Sequence, residues 1–397
     1  MSSRTLVVIP GREASPRTPR RPSARMEKIL AAGLAIVLMF GVAAFGAVEE
    51  WSGAILQCAS LFVFLLWGLS HWMADEPRIQ TSPLLAPVLA FAALVALQLV
   101  FGLTAYRYAT AQEALRYCAY GMLLFVALQV LERREALRWF LFLLVAFGFI
   151  MALLAILQDF TAGGKLYWLR QPRFPGSLYG PYVNRNHWAG FAEMLAPLPL
   201  AFAAGSRMAV PQKVLFGFVT ALIAATIFLS GSRGGMLALG VQIVAGLLLI
   251  LANRSVRRHV ISGSIVLLAV LALAIWLGGG KLATRAATLL DSETISQDMR
   301  LSIARDSLQM VQARPFFGWG LDTFVTVYPQ FRSFVTTKFV NSAHNDYLQL
   351  LVETGVIGFF LMLWFLVVLF RSALRGWDSG LQGRARIAAL VGCIGIL

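Results

Sequence analysis

Apolar residues recur along this chain in runs of about twenty, separated by short polar stretches rich in arginine. A helix needs about 20 apolar residues to cross a bilayer core of ~30 Å. Runs of that length occupy roughly 29–48, 54–72, 84–103, 113–131, 137–157, 187–204, 213–231, 234–252, 259–278 and 356–371. Composition agrees, with 58% hydrophobic and 13% charged residues where a soluble domain carries about 25% charged. An ordinary cytosolic enzyme and a disordered chain are excluded. In lipid every backbone polar group must be satisfied within the chain, which leaves helices or a closed barrel, and runs of this length select helices. The expected fold class is therefore all-α: a polytopic transmembrane helix bundle of about 10 complete spans plus a partial eleventh. That last run opens at Ile387 and reaches Leu397, too short to cross, and reads as the start of a truncated helix.

The formal net charge of +15 comes from 34 Lys+Arg against 19 Asp+Glu. The segments that fall inside when the N-terminus is cytoplasmic carry 20 Lys and Arg, against 7 in the short outside loops. The positive-inside rule then sets the orientation and accounts for most of the charge without nucleic acid. The expected organisation is a basic cytoplasmic tail (1–28), helices one to five (29–157), an outer loop (158–186) and helices six to nine (187–278). A large outer loop containing short helices (279–343), a motif helix with the tenth span (344–371) and a cytoplasmic loop leading into the truncated helix (372–397) follow. Trp51, Trp72, Trp139, Trp188 and Trp276 stand near span ends, as an interfacial belt does. Cys58, Cys118 and Cys393 have neither zinc nor disulfide spacing and read as small buried hydrophobes. Pro197 and Pro199 are expected to kink the sixth helix.

The candidate chemistry lies in the outer loops and at their helix ends. Arg233 stands in Ser230-Gly-Ser-Arg-Gly-Gly235 between two apolar helices. Glycines beside an arginine at a helix N-terminus admit a phosphate group to both the guanidinium fork and the backbone N–H groups. Arg300 opens an amphipathic stretch in which Leu301, Ala304, Leu308 and Val311 share a face suited to the bundle or the membrane surface. Asp306 and Asp291 can neutralise Arg300 or Arg305. His344, in Asn341-Ser-Ala-His-Asn-Asp-Tyr347, lies close to a membrane surface, where an imidazole can move a proton. Glu193 and Glu353 are acids inside apolar helices. Helical spacing turns Glu353 away from His344 and makes it a poor orienter for that ring. No P-loop, dinucleotide fingerprint, metal-ligand cluster or nucleophile elbow is legible, so no cofactor and no metal are expected.

At these residues the chain resembles the O-antigen ligase and polymerase superfamily of bacterial inner membranes. His344-Asn345, nine residues and Gly355-Val-Ile-Gly358 match the family's His-Asn-x9-Gly-x-x-Gly pattern. Arg233-Gly-Gly-Met-Leu237 matches its Arg-x3-Leu pattern. Arg300 ahead of Pro315-Phe-Phe-Gly-Trp-Gly320 resembles its arginine before Pro-Leu-x-Gly-x-Gly, and Asn184-Arg-Asn186-His-Trp-Ala189 its Asn-x-Asn-x-x-Ala segment. One departure is Ala304, where relatives often carry tryptophan.

The resemblance implies a GT-C-like bundle that moves a glycan from undecaprenyl pyrophosphate to an acceptor hydroxyl on the periplasmic side. The partners implied are a polyprenyl-pyrophosphate-linked donor, a lipid A-core or growing-glycan acceptor and membrane lipids. His344 takes the part of catalytic base, and Arg233 and Arg300 bind the pyrophosphate without a metal. Asn184, Asn186, Asn345 and Glu193 are candidate substrate contacts. Ligation to lipid A-core, polymerisation of repeat units and O-linked protein glycosylation share these motifs. Outside the family, a lipid-linked glycan transporter has a similar basic cavity, but it should show inverted repeats with paired broken helices, and no repeat is legible.

Overall fold

A computed structural model describes residues 24–74, 79–172, 178–203, 208–252, 293–336, 339–374 and 381–396. Their regular structure is helical, with two isolated β-bridges and no strand among the described residues. In chain order the helices are α1 (Ala24–Ala43), α2 (Glu50–Trp72), α3 (Leu85–Val100), α4 (Arg107–Val130), α5 (Arg134–Thr161) and α6 (Arg185–Leu195). They continue with α7 (Leu198–Ala203), α8 (Val210–Ser230), α9 (Arg233–Ala252), α10 (Glu293–Ala313), α11 (Asp346–Leu374) and α12 (Leu381–Ile396).

Six of the described helices are long and apolar enough to cross a membrane: α1, α2, α4, α5, α8 and α11. Shorter apolar stretches, 85–100 and 233–248, lie in α3 and α9. The expected span 259–278, with Trp276 and Asp291, lies outside the described residues. The expected sixth span is not one kinked helix. It is α6 and α7, separated at Ala196-Pro197, because neither Pro197 nor Pro199 can donate into a continuing helical ladder.

Two cores hold the chain. The larger joins α1, α4, α5, α6 and α8 through Leu34, Val126, Val145, Trp188, Ile223 and Ile227. Trp188, expected at the interface, is instead fully buried there, and its Nε1–H donates 3.0 Å to Thr226 Oγ1. The smaller core lies under the second long loop and unites Ile303 and Met310 of α10 with Phe324, Val327, Tyr328 and Val352. Of the two surfaces expected for the Leu301 face of α10, the bundle is not the one used: Leu301 and Leu308 are exposed, while Ile303, Asp306, Ser307 and Met310 pack inward. The buried Asp306 does not answer Arg300 or Arg305; its carboxylate accepts from the Tyr328 hydroxyl (3.0 Å) and the Ser333 N–H (3.2 Å). Cys58 and Cys118, expected to be buried, are exposed on α2 and α4, where surrounding lipid would accept them as readily as a core.

Candidate functional site

The residues singled out by sequence gather in two groups. The first is built where α6 and α9 begin. Asn184 caps α6, its Oδ1 accepting the Asn186 N–H at 2.9 Å. Asn186 Oδ1 accepts the Ser232 hydroxyl at 2.8 Å, and Ser232 Oγ accepts the Gly235 N–H at 3.2 Å, capping α9. Gly231 ends α8 in the left-handed region (φ 65°), so the chain reverses within two residues and leaves Arg233 exposed as the first residue of α9. α6 passes so close that a Cβ at Gly235 would stand 2.5 Å from Ala189 Cβ and 3.0 Å from Glu193 Oε1. The buried Glu193 thus sits beneath the α9 N-terminus, beside rather than in front of Arg233. Arg233 is exposed at the positive end of α9, a place suited to an anion.

The loop leading into this group is anchored by Gln158, which donates to Gly180 O (2.7 Å) and accepts the Tyr167 N–H (2.8 Å). The Tyr167 hydroxyl donates 2.7 Å to Ala43 O, and Arg170 pairs with Glu49. These contacts tie the loop to the α1–α2 connection and present Asn184 at a set position.

The second group surrounds His344. This residue precedes α11 and holds φ 55°, a left-handed conformation uncommon outside glycine. The following Asn345 caps α11, its Oδ1 accepting the Leu348 N–H at 3.0 Å. His344 is exposed, and Arg300 lies within electrostatic reach of it. Partial desolvation, and then the Arg300 charge, lower the imidazole pKa from its ordinary 6.5. Such a ring is neutral near pH 7 and available to accept a proton.

α11 is broken at Gly355 (φ 67°, ψ −172°), a conformation essentially restricted to glycine. The Pro315–Gly320 element fills the break. Trp319 N–H donates to Val352 O (3.0 Å) and Gly320 N–H to Glu353 O (2.8 Å), while Val356 N–H donates to Pro315 O (2.8 Å). Gln98 of α3 adds its Nε2, 2.7 Å from Phe317 O and 3.0 Å from Glu353 O. A Cβ at Gly318 would stand 2.5 Å from the Glu353 carbonyl carbon, and one at Gly355 2.2 Å from Phe316 O. The two glycine motifs, 35 residues apart in sequence from Gly320 to Gly355, are therefore the two sides of one backbone joint.

Glu353 belongs to this joint. Its Oε2 accepts the Asp322 N–H (2.9 Å) and its Oε1 the Gln349 amide (3.2 Å), while Gln349 Oε1 accepts the Ala343 N–H (3.3 Å). Helical spacing led to Glu353 being set aside, yet it reaches the residue before His344 through Gln349. The reason is that His344 lies outside the helix, where helical angles do not apply. Ser232, Gln349, Gln98 and Asp322 are the residues that sequence reasoning missed. The i, i+4 pair Gln349–Glu353 and the serine before Arg-Gly-Gly were the available signals.

No curated protein matches the chain. A family match covers the segment bearing Arg233, Arg300, His344 and Glu353, and leaves out Asn184, Asn186 and Glu193. Residues 218–363 match the family model described as O-antigen ligase.

Proposed function

We propose that this protein is a membrane glycosyltransferase that moves a glycan from undecaprenyl pyrophosphate to an acceptor hydroxyl at the periplasmic face of the inner membrane, as an O-antigen ligase or polysaccharide polymerase. The observation that carries the reading is His344 itself: an accessible imidazole on a left-handed turn, its pKa lowered by partial desolvation and then by the charge of Arg300. His344 takes the proton of the acceptor hydroxyl as its oxygen attacks the anomeric carbon. The bond to the pyrophosphate breaks on the opposite face of the sugar, inverting the configuration. Charge develops on the leaving pyrophosphate, and Arg233 and Arg300 hold it by charge-assisted hydrogen bonds that strengthen as the bond breaks. The α9 N-terminus supports the same charge. Because guanidinium groups fill that electrostatic role, the reading needs no metal. Glu353 and Gln349 act as positioning residues that hold the segment before His344.

Transport of a lipid-linked glycan is the reading that broken helices would favour, and both α6–α7 and α11 are interrupted. In α11, however, the freed backbone groups are taken up by Pro315–Gly320 and Gln98 rather than left facing a passage.

The deciding experiment uses the purified full chain in lipid nanodiscs with lipid-linked glycan and acceptor from the producing cell. His344→Ala should abolish transfer while membrane insertion and donor binding persist. Normal turnover by that variant would remove the base assignment.

A further inference from the structure

Helix α4 carries a polar stripe that the reaction described above does not use. Thr110, Glu113, Arg116, Tyr117 and Tyr120 recur at i, i+3, i+4 spacing and so share one face. Thr110 is buried and anchors the top of the stripe: its hydroxyl donates to Leu321 O at 2.9 Å, next to Asp322. Glu113 pairs with Arg116. Asp322 lies within electrostatic reach of both, and Glu353 within reach of Tyr117. Tyr117 and Tyr120 keep 40% and 47% of their surface exposed, with their ring centroids 6.1 Å apart. Arg116 Nε is buried without a hydrogen-bond partner.

This placement is unusual for a helix in lipid. An interfacial belt explains tyrosines at helix ends, but Tyr120 lies 13 residues past Arg107, about 20 Å along the axis. Glu113 and Arg116 lie 6 and 9 residues past Arg107, and charged groups within a membrane-crossing helix normally face the bundle interior or a wet cavity and mark a substrate path. The charge balance selects the ligand. One guanidinium stands with the carboxyl groups of Glu113 and Asp322, and that of Glu353 lies within electrostatic reach of Asp322 and Tyr117, so a phosphate would meet repulsion. A neutral, many-hydroxyl compound is favoured instead: carboxylates and guanidinium bond its hydroxyls, and tyrosine rings cover its C–H faces.

We propose that the Glu113–Arg116–Tyr117–Tyr120 face of α4, with Asp322, is a saccharide-binding stripe that guides a glycan toward the His344 site. Asp322 links the two, since its N–H is held by the same Glu353 carboxylate that reaches Ala343 through Gln349. The proposal deepens the glycosyltransferase reading and rests on it.

The test is direct binding to the full chain in nanodiscs. One probe is the oligosaccharide released by mild acid from the polyprenyl carrier of the producing cell. A second is the oligosaccharide released from its envelope lipid acceptor, and a third is inorganic pyrophosphate. The expected result is that at least one oligosaccharide binds, and that Tyr117→Ala with Tyr120→Ala weakens it by about tenfold or more. Arg116→Gln should weaken it too, while the tyrosine-to-phenylalanine variants, which keep the rings, stay within about threefold of wild type. Whichever oligosaccharide responds shows whether the stripe serves donor or acceptor. Binding of neither oligosaccharide to the wild-type chain overturns the proposal, as does unchanged affinity in the variants or loss of pyrophosphate binding alone. His344→Ala should bind the oligosaccharide normally. If the wild-type chain binds sugar in this way but transfers nothing, the glycosyltransferase reading fails and the stripe stands.

Discussion

His344 is held in a backbone conformation that an unbranched, β-strand or helical residue has no reason to adopt (φ 55°), between Ala343, fixed through Gln349, and Asn345, which caps α11. Strain of this kind costs about 1–3 kcal/mol and persists only where surrounding contacts impose it. The acidity of the ring has a testable sign. A base must be neutral, so transfer is lost as pH falls through the His344 pKa, and desolvation and Arg300 place that limb below the ordinary 6.5. Arg300→Gln removes one of the two causes, so the acid limb in a pH–rate profile should move to higher pH. An unmoved limb would separate Arg300 from His344. Arg300→Lys keeps the charge but not the planar fork, and should lose most of the transfer rate while leaving that limb near its wild-type position. At this scale the motif residues were legible as residue types, but the hydrogen bonds that Asn184 and Asn345 make were not. Asn184 and Asn345 read as substrate contacts, and in the structure their side-chain oxygens cap helices, because an asparagine before a helix has a backbone donor nearer than any ligand.

At the scale of elements, the joint between α11 and Pro315–Gly320 sets the position of everything around His344. Gly355→Ala would have to leave an essentially glycine-only conformation and push against Phe316 O, 2.2 Å from the added carbon. It should destabilise the fold by about 3 kcal/mol or more, read as a lowered thermal midpoint in detergent, with transfer lost in parallel. Gln98→Ala leaves the carbonyl groups of Phe317 and Glu353 without their side-chain donor, and about 1–3 kcal/mol should follow by the same measurement. The glycines were visible in the sequence as a pattern. What they accomplish was not, because a glycine tolerates many conformations and only its neighbour across the joint shows which is used. Likewise the sequence left open which face of α10 turns inward: several of its residues are apolar or small, and the smaller core, built partly from Phe324 and Tyr328, chose among them.

For the whole molecule, the proposed use of two arginines and a helix end for the leaving group has a clear expected outcome: transfer should continue in excess chelator. Loss restored by added magnesium would contradict that account. In cells lacking the gene, glycan should accumulate on the lipid carrier, as long chains if the protein is a ligase and as single repeat units if it is a polymerase. The separation into two cores also predicts that substitutions in the smaller one, such as Tyr328→Ala, abolish transfer while the bundle of α1, α4, α5, α6 and α8 remains inserted. Trypsin sensitivity of the detergent-solubilised protein would distinguish this local loosening from global unfolding.

Sequence by itself determined that this chain is helical and membrane-spanning, since run length and the need to satisfy backbone groups in lipid leave little choice. It also singled out Arg233, Arg300 and His344 as candidate residues at the outer loops and helix ends. Tertiary structure decided which of them meet. Arg300 comes within electrostatic reach of His344, Asn186 supports the Arg233 turn through Ser232, and Glu353 is linked to the histidine segment through Gln349 from inside a broken helix. Each of these contacts depends on where a helix stops or breaks and on which loop closes over it. Such outcomes come from packing between distant segments, which no local pattern of residues encodes.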